Sequence, residues 1–137
     1  MPLRHNRNAS LICRTAGVAG CEKLITSGNG KLLPDVTRGP SIPVSNHRTL
    51  VPVLKKYQKN GFKVISLELT PNSKKITNFS FPVDSIIVSG NESSGVPEEV
   101  LELSDYVVEI PVHGDPPCYN VAIATSIAIY EYMRQHK

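Results

Sequence analysis

Short runs of apolar residues alternate along the chain with segments in which apolar residues recur every three or four positions. The runs predict β-strands, and the segments with helical spacing predict α-helices. The predicted strands cover residues 22–26, 62–69, 84–89 and 105–111. The predicted helices cover residues 10–19, 48–60, 97–103 and 119–136. Because strands and helices alternate, we expect an α/β fold, a parallel sheet with helices on both faces.

Three segments between these elements are rich in glycine and proline. Residues 28–47 are expected to form a long irregular connection. Residues 90–95 and 111–118 each follow a predicted strand. Ligands of parallel α/β sheets bind beyond the carboxyl ends of the strands. We therefore expect the last two loops to line one pocket.

The last predicted helix is small or apolar on nearly every side between Val121 and Tyr130. A helix of this kind must be buried. In a chain of 137 residues, burial on all sides is easier when a second subunit covers one face, so we expect a homodimer. A central core helix in a monomer is the alternative.

Length, composition and charge narrow the class of protein. The chain has 137 residues, 40% of them hydrophobic and 20% charged, as in a soluble globular domain, and no apolar run reaches the roughly 20 residues of a membrane span. The net charge is +3 and no acidic residue precedes Glu22, which concentrates positive charge at the N-terminal end and permits RNA binding. Three cysteines without a CxxC pair favour a reducing compartment such as the cytoplasm and predict no metal site. The acid-free, Arg-containing start is also compatible with an organellar targeting peptide.

Asn8 and Arg14 form the first group of polar residues that could act on a ligand. We expect Asn8 in the turn before the first helix and Arg14 about one turn inside it, so that both point out from one helix end. A guanidinium can hold a phosphate through two hydrogen bonds or stabilise a developing oxyanion. An ordinary surface or ion-paired arginine is the alternative interpretation.

The loop Gly90-Asn91-Glu92-Ser93-Ser94-Gly95 has the glycine spacing of a phosphate-binding P-loop. The Lys and Ser or Thr that complete that motif are replaced by Val96 and Pro97. Its glycines are expected to let backbone N–H groups approach a ligand closely. Glu92 would add negative charge beside a triphosphate. The loop therefore argues against a nucleotide hydrolase and for a cationic ligand, with an ion pair or an ordinary turn as alternatives.

A stiff loop rich in proline leads into the last helix, with Cys118 and Asn120 just before it. Asn120 could simply cap the helix, and Cys118 could simply pack as a small apolar residue. His113 near Cys118 suggests a nucleophilic pair, but only Asp115 is available to orient it. We therefore do not favour a Cys-His hydrolase.

These three groups resemble, in order and spacing, the three motifs of the SpoU-like (TrmH) RNA 2′-O-ribose methyltransferases of the SPOUT class. The first motif has an Asn and, six residues later, Arg-Thr-Ala, as at Asn8 and residues 14–16. The second is an apolar strand that runs into Gly-Asn-Glu, two variable residues and Gly, as at residues 86–95. The third is Ile-Pro, a loop and Ser-Leu-Asn before an Ala-rich helix. Residues 110–120 match it, with Cys-Tyr-Asn in place of Ser-Leu-Asn.

The resemblance covers nearly the whole chain and implies one methyltransferase domain over residues 1–137 with a C-terminal trefoil knot. It implies S-adenosylmethionine as the cofactor, 2′-O-ribose methylation of tRNA or rRNA as the activity, and a site completed across a homodimer. The family has a strand before its first motif, and we expect this chain to lack it. A relative that binds RNA or dimerises without catalysis is the alternative, because Cys118 and Tyr119 depart from the family pattern.

The resemblance also implies roles for individual residues. Its catalytic residues correspond to Asn8, Arg14, Glu92 and Asn120. Arg14 would act on the 2′-hydroxyl, and because the pKa of arginine lies above about 12, we favour stabilisation of the forming alkoxide over proton acceptance. The residues expected to contact the cofactor are Leu67, Gly90, Ile110, Cys118 and Tyr119. The residues expected to bind RNA are Arg4, Arg7 and Arg14.

Overall fold

The computed structural model describes residues 2–28, 32–38, 42–91 and 93–137, with side chains from residue 7 onward. The chain forms two compact units, Met1–Leu50 and Val51–Lys137. Every helix within the described residues is too short or too polar to cross a membrane.

The N-terminal unit contains two helices and two strands. They are helix α1 (Pro2–Ala19), strand β1 (Leu24–Ser27), helix α2 (Pro34–Thr37) and strand β2 (Val44–His47). The two strands pair in parallel, with Leu24 opposite Val44. The region predicted to be an irregular connection therefore holds both α2 and β2. The apolar pattern does not detect β2 because its Ser-Asn-His sequence is polar. A side-chain hydrogen bond also joins the two strands, since the hydroxyl of Thr26 in β1 donates to Asn46 in β2 at 2.9 Å.

Helix α1 begins at Pro2, well before the predicted start at Ser10. Proline is favoured in the first turn of a helix, and the residues between it and Ser10 include no glycine or further proline to stop the helix. Ser10 is buried, and its hydroxyl accepts a hydrogen bond from the backbone N–H of Leu33 at 2.7 Å. The residue predicted to open the helix thus binds the segment that leads into α2.

The C-terminal unit contains the remaining elements. They are α3 (Val51–Lys59), β3 (Lys63–Leu67), β4 (Lys74–Lys75), a 3₁₀ turn (Ile76–Asn78), β5 (Ser85–Val88), α4 (Glu98–Leu103), β6 (Tyr106–Glu109) and α5 (Val121–His136). The strands form a four-stranded sheet in the order β4-β6-β3-β5, and every neighbouring pair is parallel. The α/β fold with parallel strands is confirmed, although the described strands fall into two sheets where the sequence predicts one.

The core of this unit lies on the central strands. Ile65 of β3 and Val108 of β6 are fully buried. They pack with Ala128 of α5 and with Phe79 and Phe81, which precede β5. Burying one such aliphatic side chain contributes about 1.5–3 kcal/mol to stability. Helix α5 is thereby held against the sheet by Ala128, and Ile127 and Tyr132 pack against the same cluster.

Only part of α5 is buried within this chain. Ala122 and Ala128 are buried, whereas Ile123 is 53% exposed and Tyr130 is 66% exposed. The alternative of a central core helix in a monomer is therefore wrong, and burial of the remaining face by a second subunit stays a prediction. Its apolar residues divide between a face packed on the sheet and a face open to solvent.

Candidate functional site

The carboxyl ends of β3, β5 and β6 lie side by side at one edge of the four-stranded sheet. Strand β3 ends at Leu67, opposite Val108 of β6. The loops formed by residues 89–97 and 110–120 start at this edge, where ligands bind in parallel α/β sheets. The two loops that the sequence assigns to one pocket therefore begin at the ends of strands that both pair with β3.

One hydrogen bond ties the first of these loops to α5. The hydroxyls of Ser89 and Thr125 lie 2.5 Å apart. The Thr125 hydroxyl donates to the carbonyl of Val121 at 2.6 Å, so the Ser89 hydroxyl is the donor between the two. Thr125 is buried, and a buried hydroxyl requires such partners. The bond brings the second motif and the helix of the third motif together.

The loop of residues 90–96 closes on itself. The backbone of Asn91 donates to Gly95 at 3.3 Å and accepts from it at 3.1 Å. Gly95 has a φ of 71°, which favours glycine, and a β-carbon on Gly90 would collide with the carbonyl carbon of Gly95. The approach of the loop to itself therefore explains Gly90, and the positive φ explains Gly95.

Backbone N–H groups of this loop are satisfied inside the molecule. Oδ1 of Asn91 accepts from the N–H groups of Ser93 at 3.0 Å and Ser94 at 2.7 Å. The N–H of Val96 donates to Oε1 of Glu68 at 2.9 Å. The N–H groups of Asn91 and of residues 93–96 therefore form no open nest for a phosphate, whereas the approach of Gly90 to a ligand stays a prediction. Glu92 lies outside the described residues, so its role stays a prediction.

The residues predicted to contact a cofactor are all near this edge. Leu67 is the last residue of β3, Ile110 directly follows β6, and Gly90 lies two residues after β5. Leu67 and Ile110 are half-buried and pack against the core cluster. Cys118 and Tyr119 are exposed and lie shortly before α5.

Asn120 caps helix α5. Its Oδ1 accepts from the backbone N–H of Ala122 at 2.8 Å and of Ile123 at 3.2 Å. A side-chain cap of this kind contributes about 1 kcal/mol to helix stability. The capping interpretation is confirmed, while a catalytic contribution of Asn120 stays a prediction.

Asn8 and Arg14 both lie within α1, in the N-terminal unit. Asn8 is only 8% exposed, whereas Arg14 is exposed. A separation of six residues places them about 9 Å apart along the axis and about a third of a turn around it. The expectation that Asn8 precedes the helix and points out beside Arg14 is wrong, because α1 continues through Asn8 and turns it to a buried side.

Arg7 and Arg14 share one exposed face of α1. They are seven residues apart, which is close to two full helical turns. Two cations on one face can follow a phosphate backbone. The side chain of Arg4 lies outside the described residues, so its assignment stays a prediction.

Glu68 is a residue at this edge that the sequence analysis does not single out. It directly follows β3, and its carboxylate holds the N–H of Val96. A charged residue in the apolar run of residues 64–69, at the end where ligands bind, is the signal that could have found it.

Two further features lie outside this arrangement. A cavity of about 600 Å³ lies between residues 77–81 and the last turns of α5, and its lining, among the described residues, includes none of the predicted site residues. No group of three or more His, Cys, Asp and Glu side chains within the described ranges could bind a metal ion.

The fold of the sheet and its loops is similar to that of solved SpoU methyltransferases, the class to which this arrangement belongs. The family model described as "SpoU rRNA Methylase family" matches residues 2–130, and the chain belongs to this family. The resemblance seen in the three motifs is confirmed.

Relatives in this family are similar over nearly all of this chain. The tRNA (guanosine(18)-2′-O)-methyltransferase of Aquifex aeolicus is 28% identical over 98% of this chain and 67% of its own. The crystal structure of the A. aeolicus TrmH/SpoU tRNA modifying enzyme has a TM-score of 0.89, at 27% identity over 95% of this chain and 69% of its own. The AdoMet-bound rRNA methyltransferase of Sinorhizobium meliloti has a TM-score of 0.82, at 24% identity over 96% of this chain and 53% of its own. The chain thus spans between about one half and two thirds of these relatives.

Proposed function

We propose that the chain transfers a methyl group from S-adenosylmethionine to a ribose 2′-hydroxyl of tRNA or rRNA. The observation that carries the proposal is the meeting of the second and third family motifs at one sheet edge, joined by the bond between Ser89 and Thr125. The name of the A. aeolicus relative makes tRNA the first substrate to test.

The chemistry of the edge suits a cofactor with a sulfonium cation and no phosphate. In the loop of residues 90–96, the N–H groups of Asn91 and of residues 93–96 are used internally, and the loop contains no lysine. The half-buried carboxylate of Glu68 adds negative charge beside it. The S. meliloti structure is described as AdoMet-bound, which supports the same cofactor here. When bound, this cofactor supplies a methyl group on a positively charged sulfur.

We assign the contacts to the cofactor to residues at the strand ends and in the loop before α5. They are Leu67, Gly90, Ile110, Cys118 and Tyr119. Glu92 and Asn120 brace the two loops in this proposal, and Asn120 does so by capping α5. Rigid loops reduce the free energy needed to order a site when its ligand binds.

Arg14 is the proposed catalytic residue for the ribose. The ribose 2′-oxygen would be the nucleophile toward the methyl group that bound S-adenosylmethionine would supply, and the hydroxyl proton would leave to water. The guanidinium of Arg14 stabilises the negative charge that develops on the oxygen. Asn8, which is buried in α1, orients this assembly from within the helix, and Arg4 and Arg7 bind RNA phosphates.

The proposal includes a homodimer formed through α5. Ile123 and Tyr130 expose apolar surface on this helix, and a depression of about 310 Å³ beside them is lined by Ile76 and Ile127. A second copy of the chain would remove this surface from water, and the family site is completed across such a dimer. The C-terminal trefoil knot rests on the family resemblance, and a cytoplasmic location rests on three cysteines without a CxxC pair.

Calorimetric titration with S-adenosylmethionine tests the proposal first. Transfer of a labelled methyl group to transcribed tRNA and rRNA, followed by mapping of 2′-O-methylated nucleotides, tests it fully. A folded dimer that binds RNA but not S-adenosylmethionine would favour the alternative, a family member without catalysis. The observation that favours this alternative is the Cys-Tyr sequence at residues 118–119.

A further inference from the structure

We infer that Glu68 is a positioning residue that fixes the loop of residues 90–96 and, through it, one wall of the cofactor site. The role of Glu68 in cofactor binding rests on the proposed function. Its contact with the loop rests on hydrogen bonds between described residues.

The carboxylate of Glu68 holds the C-terminal end of the loop. Its Oε1 accepts from the backbone N–H of Val96 at 2.9 Å, and Val96 is buried. Gly95 packs so closely on the carboxylate that a β-carbon there would collide with Oε1. The carboxylate therefore occupies the space that a larger residue at position 95 would need.

The backbone of Glu68 ties the same residue to the neighbouring strand. Its N–H donates to the carbonyl of Val108 at 3.1 Å, two residues before Ile110. Its Oε2 accepts from the N–H of Leu69 at 3.3 Å, which helps to set the direction of the side chain. Glu68 thus connects the end of β6 with the loop after β5, and both carry residues assigned to the cofactor.

A hydrogen-bond acceptor is required at this position. The N–H of Val96 belongs to a buried residue, and a buried donor that loses its acceptor is destabilised. An apolar side chain would leave this donor unsatisfied and release the loop. Because contacts within the chain close the loop, less ordering has to be supplied by binding, which favours affinity.

Three variants separate this role from a general loss of stability. Glu68→Ala removes the acceptor, and Glu68→Gln keeps an oxygen for Val96. The matched control is Asp105→Ala, because Asp105 Oδ2 accepts from the N–H of Val64 at 2.8 Å, the same kind of bond at the opposite end of β3. Each variant is compared by S-adenosylmethionine titration, by thermal unfolding, and by amide hydrogen exchange of residues 89–97 without cofactor.

Glu68→Ala should weaken S-adenosylmethionine binding about tenfold and speed exchange in residues 89–97 by about tenfold. Glu68→Gln should stay within about threefold of the wild type in both measurements. Asp105→Ala should lower the unfolding temperature without changing the affinity.

Other results would overturn the inference. If Glu68→Ala exchanges and binds like the wild type, Glu68 does not hold the loop. If Asp105→Ala weakens S-adenosylmethionine binding as much as Glu68→Ala does, the weaker binding reflects a general loss of stability and not the contact between Glu68 and the loop. If the wild-type chain binds no S-adenosylmethionine, the proposed function fails and the cofactor part of the inference fails with it, whereas the exchange measurement still decides whether Glu68 holds the loop.

Discussion

The hydroxyl of Tyr119 donates a hydrogen bond to the carbonyl oxygen of Pro111 at 3.1 Å. This bond joins the two ends of the loop that precedes α5. The family motif has Leu where this chain has Tyr119, and a Leu side chain has no donor for Pro111. The replacement therefore supplies a loop contact that the family pattern does not require.

Removing this hydroxyl should loosen the loop. Tyr119→Phe keeps the ring and deletes a hydrogen bond of about 0.5–1.5 kcal/mol, and the lower end applies because Tyr119 is 42% exposed. We expect S-adenosylmethionine to bind about two- to fivefold more weakly in calorimetry. Tyr57→Phe, in α3, is the matched control and should leave the affinity unchanged. Equal affinity of Tyr119→Phe and the wild type would show that the bond does not order the site.

Arg14→Ala should reduce methyl transfer by about a hundredfold or more, the usual effect of losing one group that stabilises an oxyanion. The affinity for S-adenosylmethionine should change less than about twofold, and the fold should be preserved because Arg14 is exposed. Single-turnover transfer to tRNA measures the first effect, and calorimetry measures the second. An unchanged rate would refute the role of Arg14.

Arg7→Ala is the control on the same exposed face of α1. This variant should weaken RNA binding. It should also reduce the magnitude of the slope of log affinity against log salt concentration by about one, because one phosphate contact is lost. Its transfer rate at saturating RNA should equal that of the wild type. A loss of rate as large as that of Arg14→Ala would mean that charge on this face, and not Arg14 in particular, supports transfer.

The strands that support the site could be predicted because burial leaves a pattern in the sequence. Residues 63–67, 85–88 and 106–109 are largely apolar, as strands of a buried parallel sheet are. Strand β4 leaves no such pattern, since its two residues, Lys74 and Lys75, are exposed and join the sheet through backbone pairing with β6. Elements held by backbone bonds at an edge are not visible in an apolar pattern.

The position of the two loops at the sheet edge could be predicted from the sequence, whereas the contacts within them could not. The spacing of Gly90 and Gly95 indicates a close approach and does not say what approaches. In the structure Gly90 approaches the backbone of Gly95, and Gly95 approaches the carboxylate of Glu68. Glu68 binds Val96 across 28 positions of sequence and through a backbone atom, which no residue pattern records. Asn8 was misplaced because nothing in the sequence marks where α1 starts except Pro2.

Glu131 should make stability depend on pH in the acidic range. Hydrogen bonds from Arg134 and Gln135 lower the pKa of Glu131 from 4.5 to about 2. A carboxyl whose folded pKa lies below its unfolded pKa stabilises the fold above about pH 4.5, and this contribution is lost as the pH falls toward 2. Because Arg134 is 59% exposed, solvent screening limits the effect to about 1 kcal/mol or less.

Glu131→Gln should therefore be less stable than the wild type at pH 6 and equally stable near pH 2. Denaturant unfolding at low salt between pH 2 and 6 measures the difference. Glu102→Gln, at an exposed position in the last turns of α4, is the control and should not lose stability at pH 6. If the free energies of unfolding of Glu131→Gln and the wild type differ by the same amount at every pH from 2 to 6, the lowered pKa of Glu131 is contradicted.

The reactivity of the cysteines tests whether Cys118 lines the proposed cofactor site. Cys13 is buried, and burial raises the pKa of its thiol, whereas Cys118 is exposed beside Tyr119. Because the thiolate is the reactive form, a maleimide near pH 7.5 should modify Cys118 readily and Cys13 only after unfolding.

Saturating S-adenosylmethionine should slow modification of Cys118 severalfold, as followed by peptide mass spectrometry. Cys21, which is half-buried in the N-terminal unit, is an internal reference whose rate the cofactor should not change. Cys118→Ser restores the family residue and should bind the cofactor at least as well as the wild type, because a hydroxyl is a better hydrogen-bond donor than a thiol. If bound cofactor leaves the rate at Cys118 unchanged, this residue does not line the cofactor site, and the wall of the site lies closer to Gly90 and Ile110.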